Sequence, residues 1–171
     1  EKQGNITAYE DAPVKTGKET DLTRIKATAI SKINQQINNI LNNTSYSKNT
    51  AGSMLLLAAA YTMPQYVAYQ NPKVVEKVKW ALDEMVKRHN DGSITANSEW
   101  GGAFGFHGYA MYKVRNGITD KFLDEAVNLG RGSKSRRAQW IEAIKTSFDH
   151  GAKDRRTLSN QVAWASTPVY G

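Results

Sequence analysis

Apolar residues along the first third of the chain recur at steps of three and four. Leu22, Ile25, Ala29, Ile33, Ile37, Ile40 and Leu41 form the stripe of an amphipathic helix, with Thr20 or Asp21 placed to cap its start. The turn formers Asn42-Asn43-Thr44-Ser45 end it. Ala51 to Met63 is apolar on all sides, which predicts a deeply buried second helix stopped by Pro64. Beyond a loop through Tyr66, Tyr69, Asn71 and Pro72, a third helix shows Val75, Val78, Leu82, Met85 and Val86 on one face and ends at Asn90-Asp91-Gly92.

The Gly-rich aromatic segment from Glu99 to Tyr112 is expected to begin as loop, to become helical by about Phe106 and to end near Asn116-Gly117. Thr119 caps a short helix carrying Phe122, Leu123, Ala126 and Val127, with Gly130 as its stop. Ser133 or Ser135 opens the next, whose apolar row is Ile141, Ile144 and Phe148 and whose end is Asp149-His150-Gly151. A seventh helix is expected around Ser159 to Trp164, broken at Pro168. No alternation of strand type competes with these helices, so the expected class is all-α, built from antiparallel helical hairpins. Residues 1–19 read as a polar leader and 20–171 as one helical domain.

Composition narrows the chemistry. The absence of cysteine excludes thiol nucleophiles, disulfides and Cys-ligated metals. The longest apolar run, Met54 to Ala60, is far short of the roughly 18 to 20 residues that span a bilayer. A polar start without an apolar leader core suits a mature exported protein, so the expected location is secreted or periplasmic. The net charge of +7 concentrates between Arg131 and Arg156, which draws an acidic ligand. Nucleic acid is not the expected ligand, because no helix-turn-helix, zinc or RNA-binding signature accompanies the charge. No phosphate loop, dinucleotide fingerprint or clustered metal spacing is present, so no cofactor and no metal are expected.

The order Tyr61-Thr62-Met63-Pro64, Asn71-Pro72-Lys73-Val74, Trp80-Ala81-Leu82-Asp83, Asp91-Gly92-Ser93 and Glu99-Trp100-Gly101 resembles the N-terminal (α/α) toroid domain of polysaccharide lyases, the group acting on alginate, hyaluronate, chondroitin and heparin. The resemblance implies a partial toroid. Such rings carry more helices than are read here, so the resemblance implies either a fragment, completed by further domains of a longer chain, or a ring whose remainder is supplied elsewhere. It also implies β-elimination on a uronic-acid-containing polysaccharide, in which the sugar carboxylate must be neutralised before its neighbouring proton can leave.

Arg155-Arg156-Thr157-Leu158-Ser159-Asn160-Gln161 looks like the Asn-bearing helix start of these lyases. By that resemblance Asn160 neutralises the carboxylate, Gln161 lies beside it, and Arg155 or Arg156 binds a neighbouring acidic sugar. His107 is the candidate base or second neutraliser, Tyr109 the candidate acid, and Trp100 the stacking platform for a sugar ring. Core packing competes for Phe104, Phe106 and Tyr112, a structural role for His107, and a plain N-cap for Ser159-Asn160. His89 and His150 read as cations favoured at helix C-termini. Two alternatives stay open: a glycoside hydrolase pairing Glu99 with Asp91 or Asp149, and a non-catalytic module that binds acidic polysaccharide.

Overall fold

A computed structural model describes the backbone of residues 16–94 and 102–153. Six α-helices and one two-stranded sheet appear among these residues: α1 (Thr16–Asn42), α2 (Thr50–Tyr61), α3 (Pro72–Asn90), α4 (Gly102–Val114), α5 (Asp120–Asp124), β1 (Ala126–Asn128), β2 (Ser133–Ser135) and α6 (Arg136–Lys153). The all-α expectation holds apart from the small sheet. The expected seventh helix, with Trp100, Arg155, Arg156, Asn160 and Gln161, lies outside the described residues, as does Glu99.

Local chemistry sets the helix ends. Asn71 accepts the Lys73 N–H at 2.9 Å, and Pro72 occupies the first position of α3, where its missing N–H leaves no orphan. After α2, the Thr62 and Met63 N–H groups bond back to Ala59 and Ala60, and the chain turns at Pro64. Tyr61 accepts the Gln70 N–H, which closes that loop beneath α3.

The core joins α2, α3 and α4 to the C-terminal half of α1 and to part of α6. Met54, Leu57, Val74, Val78, Leu82, Met85 and Val114 are buried within it. α2 makes its most extensive contact with α4. Their composition explains why: Ala58 and Ala60 on one helix, and the buried Gly105, Gly108 and Ala110 on the other, carry little side chain to hold two backbones apart.

Four sequence expectations are corrected. α1 begins at Thr16, upstream of the expected cap, and the first half of its stripe does not enter the core: Leu22 and Ile25 are exposed, whereas Ile37 is completely buried. The helix expected through Val127 stops at Asp124 and gives way to the hairpin, registered Ala126 to Ser135, Val127 to Lys134 and Asn128 to Ser133. Tertiary bonds override local propensity there. The Glu125 carbonyl accepts the Arg136 N–H, and buried Gln139 donates to the Val127 and Lys134 carbonyls at 2.8 and 3.0 Å. Gly130 (φ +102°) and Gly132 (φ +81°) supply the left-handed turn.

The two remaining corrections concern α6, which runs through Gly151 to Lys153 instead of closing at Asp149-His150-Gly151. Its buried row is Arg136, Gln139, Trp140 and Ala143, while Ile141 is exposed. Ser135 accepts the Ala138 N–H at 3.2 Å and so provides the expected opening.

Candidate functional site

Helix α4 carries both catalytic candidates that lie within the described residues. At about 100° of rotation per residue, His107 and Tyr109 point roughly 200° apart around it. The structure therefore separates the pair that the sequence placed together. His107 lies on the buried face at 0 % exposure, its ring stacked on Tyr46 with centroids 5.9 Å apart. Tyr46 also meets Trp80 at 6.3 Å and lies beneath the Arg88 guanidinium at 4.5 Å. In this geometry His107 meets no solvent, and so gives a polymer nothing to touch. Its described contacts are those of a packing residue.

The opposite face of α4 is different. Tyr109 is half-buried, packed against the edge of the core, with Lys113 Nζ 5.2 Å from its ring centroid, and Tyr112 is 44 % exposed with the Arg115 guanidinium 4.2 Å from its ring centroid. Arg115 also donates to the Tyr112 carbonyl at 2.8 Å, which fixes its fork at the helix end. Helical spacing produces each pair separately: residues three and four apart are neighbours, so 109 meets 113, and 112 meets Arg115 in the short 3-10 turn (Arg115–Gly117) that follows α4. Tyr112, for which core packing competed, faces outward. Phe106 is half-buried.

The charge cluster between Arg131 and Arg156 is largely compensated where it is described. Arg131 and Lys134 both pair with Glu142, Arg136 with Asp83 and Glu125, and Arg137 with Asp120 and Asp124. Hydrogen bonds that Arg137 donates to the Asp124 and Asp120 carboxylates raise its guanidinium pKa above the ordinary value. Arg136 is buried within its network and also donates to the Phe122 carbonyl at 2.7 Å. Arg24 and Arg88 have carboxylate partners too, in Asp21 and Glu84. Among the described arginines, Arg115 alone has none. The sequence reading missed it, although the Tyr112-to-Arg115 spacing was visible.

Asp91 of the hydrolase alternative serves a turn: its carboxylate accepts the Ser93 N–H at 2.8 Å, and bonding to Ser93 holds it below the usual carboxylate range. An open groove of about 570 Å³ beside α5 is lined by Thr119, Lys121, Phe122, Asp124 and Glu125. Its two carboxylates are those engaged by Arg137 and Arg136. Among the described residues no three His, Asp or Glu side chains gather to hold a metal ion, and no helix is long and apolar enough to cross a membrane.

Comparison of the chain with protein-family models, with curated proteins and with solved structures finds no match.

Proposed function

We propose that the chain acts on a uronic-acid-containing polysaccharide by β-elimination, as part of an (α/α) toroid. The observation that carries this reading is the end of α4, where the exposed Tyr112 ring is backed by the Arg115 fork, which has no carboxylate partner among the described residues, and the half-buried Tyr109 ring is backed by Lys113. Aromatic faces stack on sugar rings, and adjacent cations attract the sugar carboxylate. Tyr109 is then the acid that returns a proton to the leaving glycosidic oxygen, and with His107 buried it also serves as base. Asn160 is assigned carboxylate neutralisation, Gln161 and Arg155 or Arg156 the neighbouring contacts, and Trp100 a stacking role, all on the sequence resemblance.

Elimination leaves a double bond conjugated with the carboxylate, since stabilising the enediolate is what lets the proton leave. The test incubates the full chain with alginate, glycosaminoglycans and plant uronans. A rise in absorbance near roughly 230 to 240 nm, absent with Tyr109→Phe and retained in a folded His107→Gln variant, supports the reading, because the chemistry depends on the enediolate. Bond cleavage without the double bond points to hydrolysis and overturns it.

The second reading, an acidic-polysaccharide-binding module without catalysis, is favoured by the burial of His107. It predicts binding to the same polymers with no cleavage of any kind.

A further inference from the structure

We infer that the exposed half of α1 is a self-association surface, on which a second copy of this chain packs its own α1 antiparallel to the first. What carries the inference is a hollow on this helix and, in the same segment, the side chain that fills it.

Ile33, Ile37, Ile40 and Leu41 of α1 pack on the core, whereas Leu22, Ile25, Ala29 and Lys32 are exposed. The exposed four recur at steps of three, four and three, the spacing of a coiled-coil seam. Along the same face lies an open hollow of about 280 Å³, lined by Arg24, Ile25, Thr28, Ala29 and Lys32. Residues 25, 28, 29 and 32 stand at i, i+3, i+4 and i+7, the set that receives one knob from a facing helix. Ala29 contributes only a methyl group, and the Thr28 hydroxyl already donates to the Arg24 carbonyl at 2.9 Å, so the hollow suits an apolar side chain.

With a two-fold axis crossing the pair near residue 27, Ile25 of each copy enters the hollow of the other, and the Lys32 stem covers Leu22 of the second copy. Charge sets the direction. A parallel pair brings Lys32 against Lys32 on the seam, two like charges at one level. The antiparallel pair brings Lys32 beside Asp21 of the second copy, at both ends of the contact. Asp21 makes an exposed ion pair with Arg24 at 3.4 Å, which is worth little in water and is readily exchanged. Within one copy residues 21 and 32 are about 16.5 Å apart along the axis, too far to pair with each other. The exposed stretch is about 18 Å long, which limits the buried area to less than the standard interface and makes the dimer weak.

Sedimentation equilibrium of the full chain should show a monomer–dimer equilibrium with a dissociation constant of about 100 μM. Ile25→Glu should weaken it at least about tenfold, with the unfolding midpoint unchanged because Ile25 lies outside the core. Lys32→Asp should weaken it as well, and adding Asp21→Lys should restore it, since the exchanged charges meet again only across an antiparallel pair. A monomer at every concentration overturns the inference and leaves the face to a different partner or to another segment of a longer chain. A dimer indifferent to Ile25→Glu or to Lys32→Asp, or one that the double exchange fails to restore, overturns it too.

Discussion

Arg136→Met is the most informative single change to the fold. The Arg136 side chain is only 8 % exposed; its Nε lies 3.0 Å from both oxygens of Asp83, and its Nη1 bonds the Phe122 carbonyl and the Glu125 carboxylate, each at 2.7 Å. Trp140 donates to the same Asp83 carboxylate at 2.9 Å. Methionine keeps the volume and the contact with the Phe122 ring but leaves Asp83 with one donor and the Phe122 carbonyl without its side-chain partner. Breaking a buried pair costs about 3–5 kcal/mol. Asp83 keeps some exposure and can take up a proton, which argues for the lower end, about 3 kcal/mol.

Urea unfolding followed by tryptophan fluorescence should show the midpoint falling by about 1–2 M at unchanged slope. Removing both partners, in Asp83→Asn with Arg136→Met, should cost less than the sum of the two single changes. A loss below about 1 kcal/mol, the range of exposed pairs, would refute the assignment of Arg136 as the buried tie between α3, α5 and α6.

The pH dependence adds a signed check. Burial raises the Asp83 carboxyl above its ordinary value despite the opposing pull of Arg136 and Trp140. The folded state therefore holds that proton more tightly than the unfolded chain. The stability this confers is complete below the unfolded value and is lost as pH rises through the folded one. The penalty of Asp83→Asn should accordingly be greatest in acid and shrink as pH rises across that window.

Two further predictions concern backbone order and packing. Hydrogen exchange followed by mass spectrometry should find amides 21–32 of α1 exchanging much faster than 33–41, because the first group is exposed along nearly its whole length and a helix so little supported is marginal; equally slow exchange would show that another surface covers it. Gly117→Ala should lower stability by about 1–3 kcal/mol, since the new Cβ falls 2.7 and 2.9 Å from the two γ-carbons of Val75, a β-branched side chain with little freedom to move. Thermal melting of the variant and of its combination with Val75→Ala checks this: recovery in the pair supports the clash, and an unchanged midpoint in Gly117→Ala refutes it.

What the sequence made legible follows from where the physics is local. The loop expected to end at Asn71-Pro72 does lead into α3, with Pro72 itself the first helical residue, and the apolar row from Val75 to Val86 is buried as its spacing required. The hairpin was not legible, because strands of three residues are too short to alternate and Asn128, Gly130 and Gly132 also spell a helix stop. The buried row of α6 was misread because Arg136 and Gln139 lead it, and polar side chains at helical spacing signal a core only when distant partners such as Asp83 are known. On α1 the stripe was real but was covered for only half its length. At the site, Tyr109 was legible as an aromatic in a Gly-rich segment, whereas Arg115 was passed over for the denser charge downstream. Charge density misled there, because Arg131, Lys134, Arg136 and Arg137 of that cluster are matched by Glu142 within it and by four carboxylates outside it, Asp83 distant in sequence and Asp120, Asp124 and Glu125 across the hairpin.

The glycines of α4 unite the two roles of the helix. Gly105 and Gly108 are buried, and their lack of side chains lets α2 and α4 come close, so a helix of otherwise bulky aromatics can be seated in the core. That seating fixes the rotation of α4. It turns His107 inward against Tyr46, and the same rotation leaves Tyr112 exposed, with the Arg115 guanidinium over its ring. Packing and recognition are thus set by one angle, and a change that rotates α4 should disturb both. Gly108→Leu tests this coupling. Overpacking of the buried face costs about 1–3 kcal/mol, and the reorientation that relieves it should also weaken uronan binding, although residue 108 lies on neither tyrosine–cation pair. A folded Gly108→Leu protein that loses stability while binding oligogalacturonate with unchanged affinity would show that Tyr112 and Arg115 are positioned independently of the core.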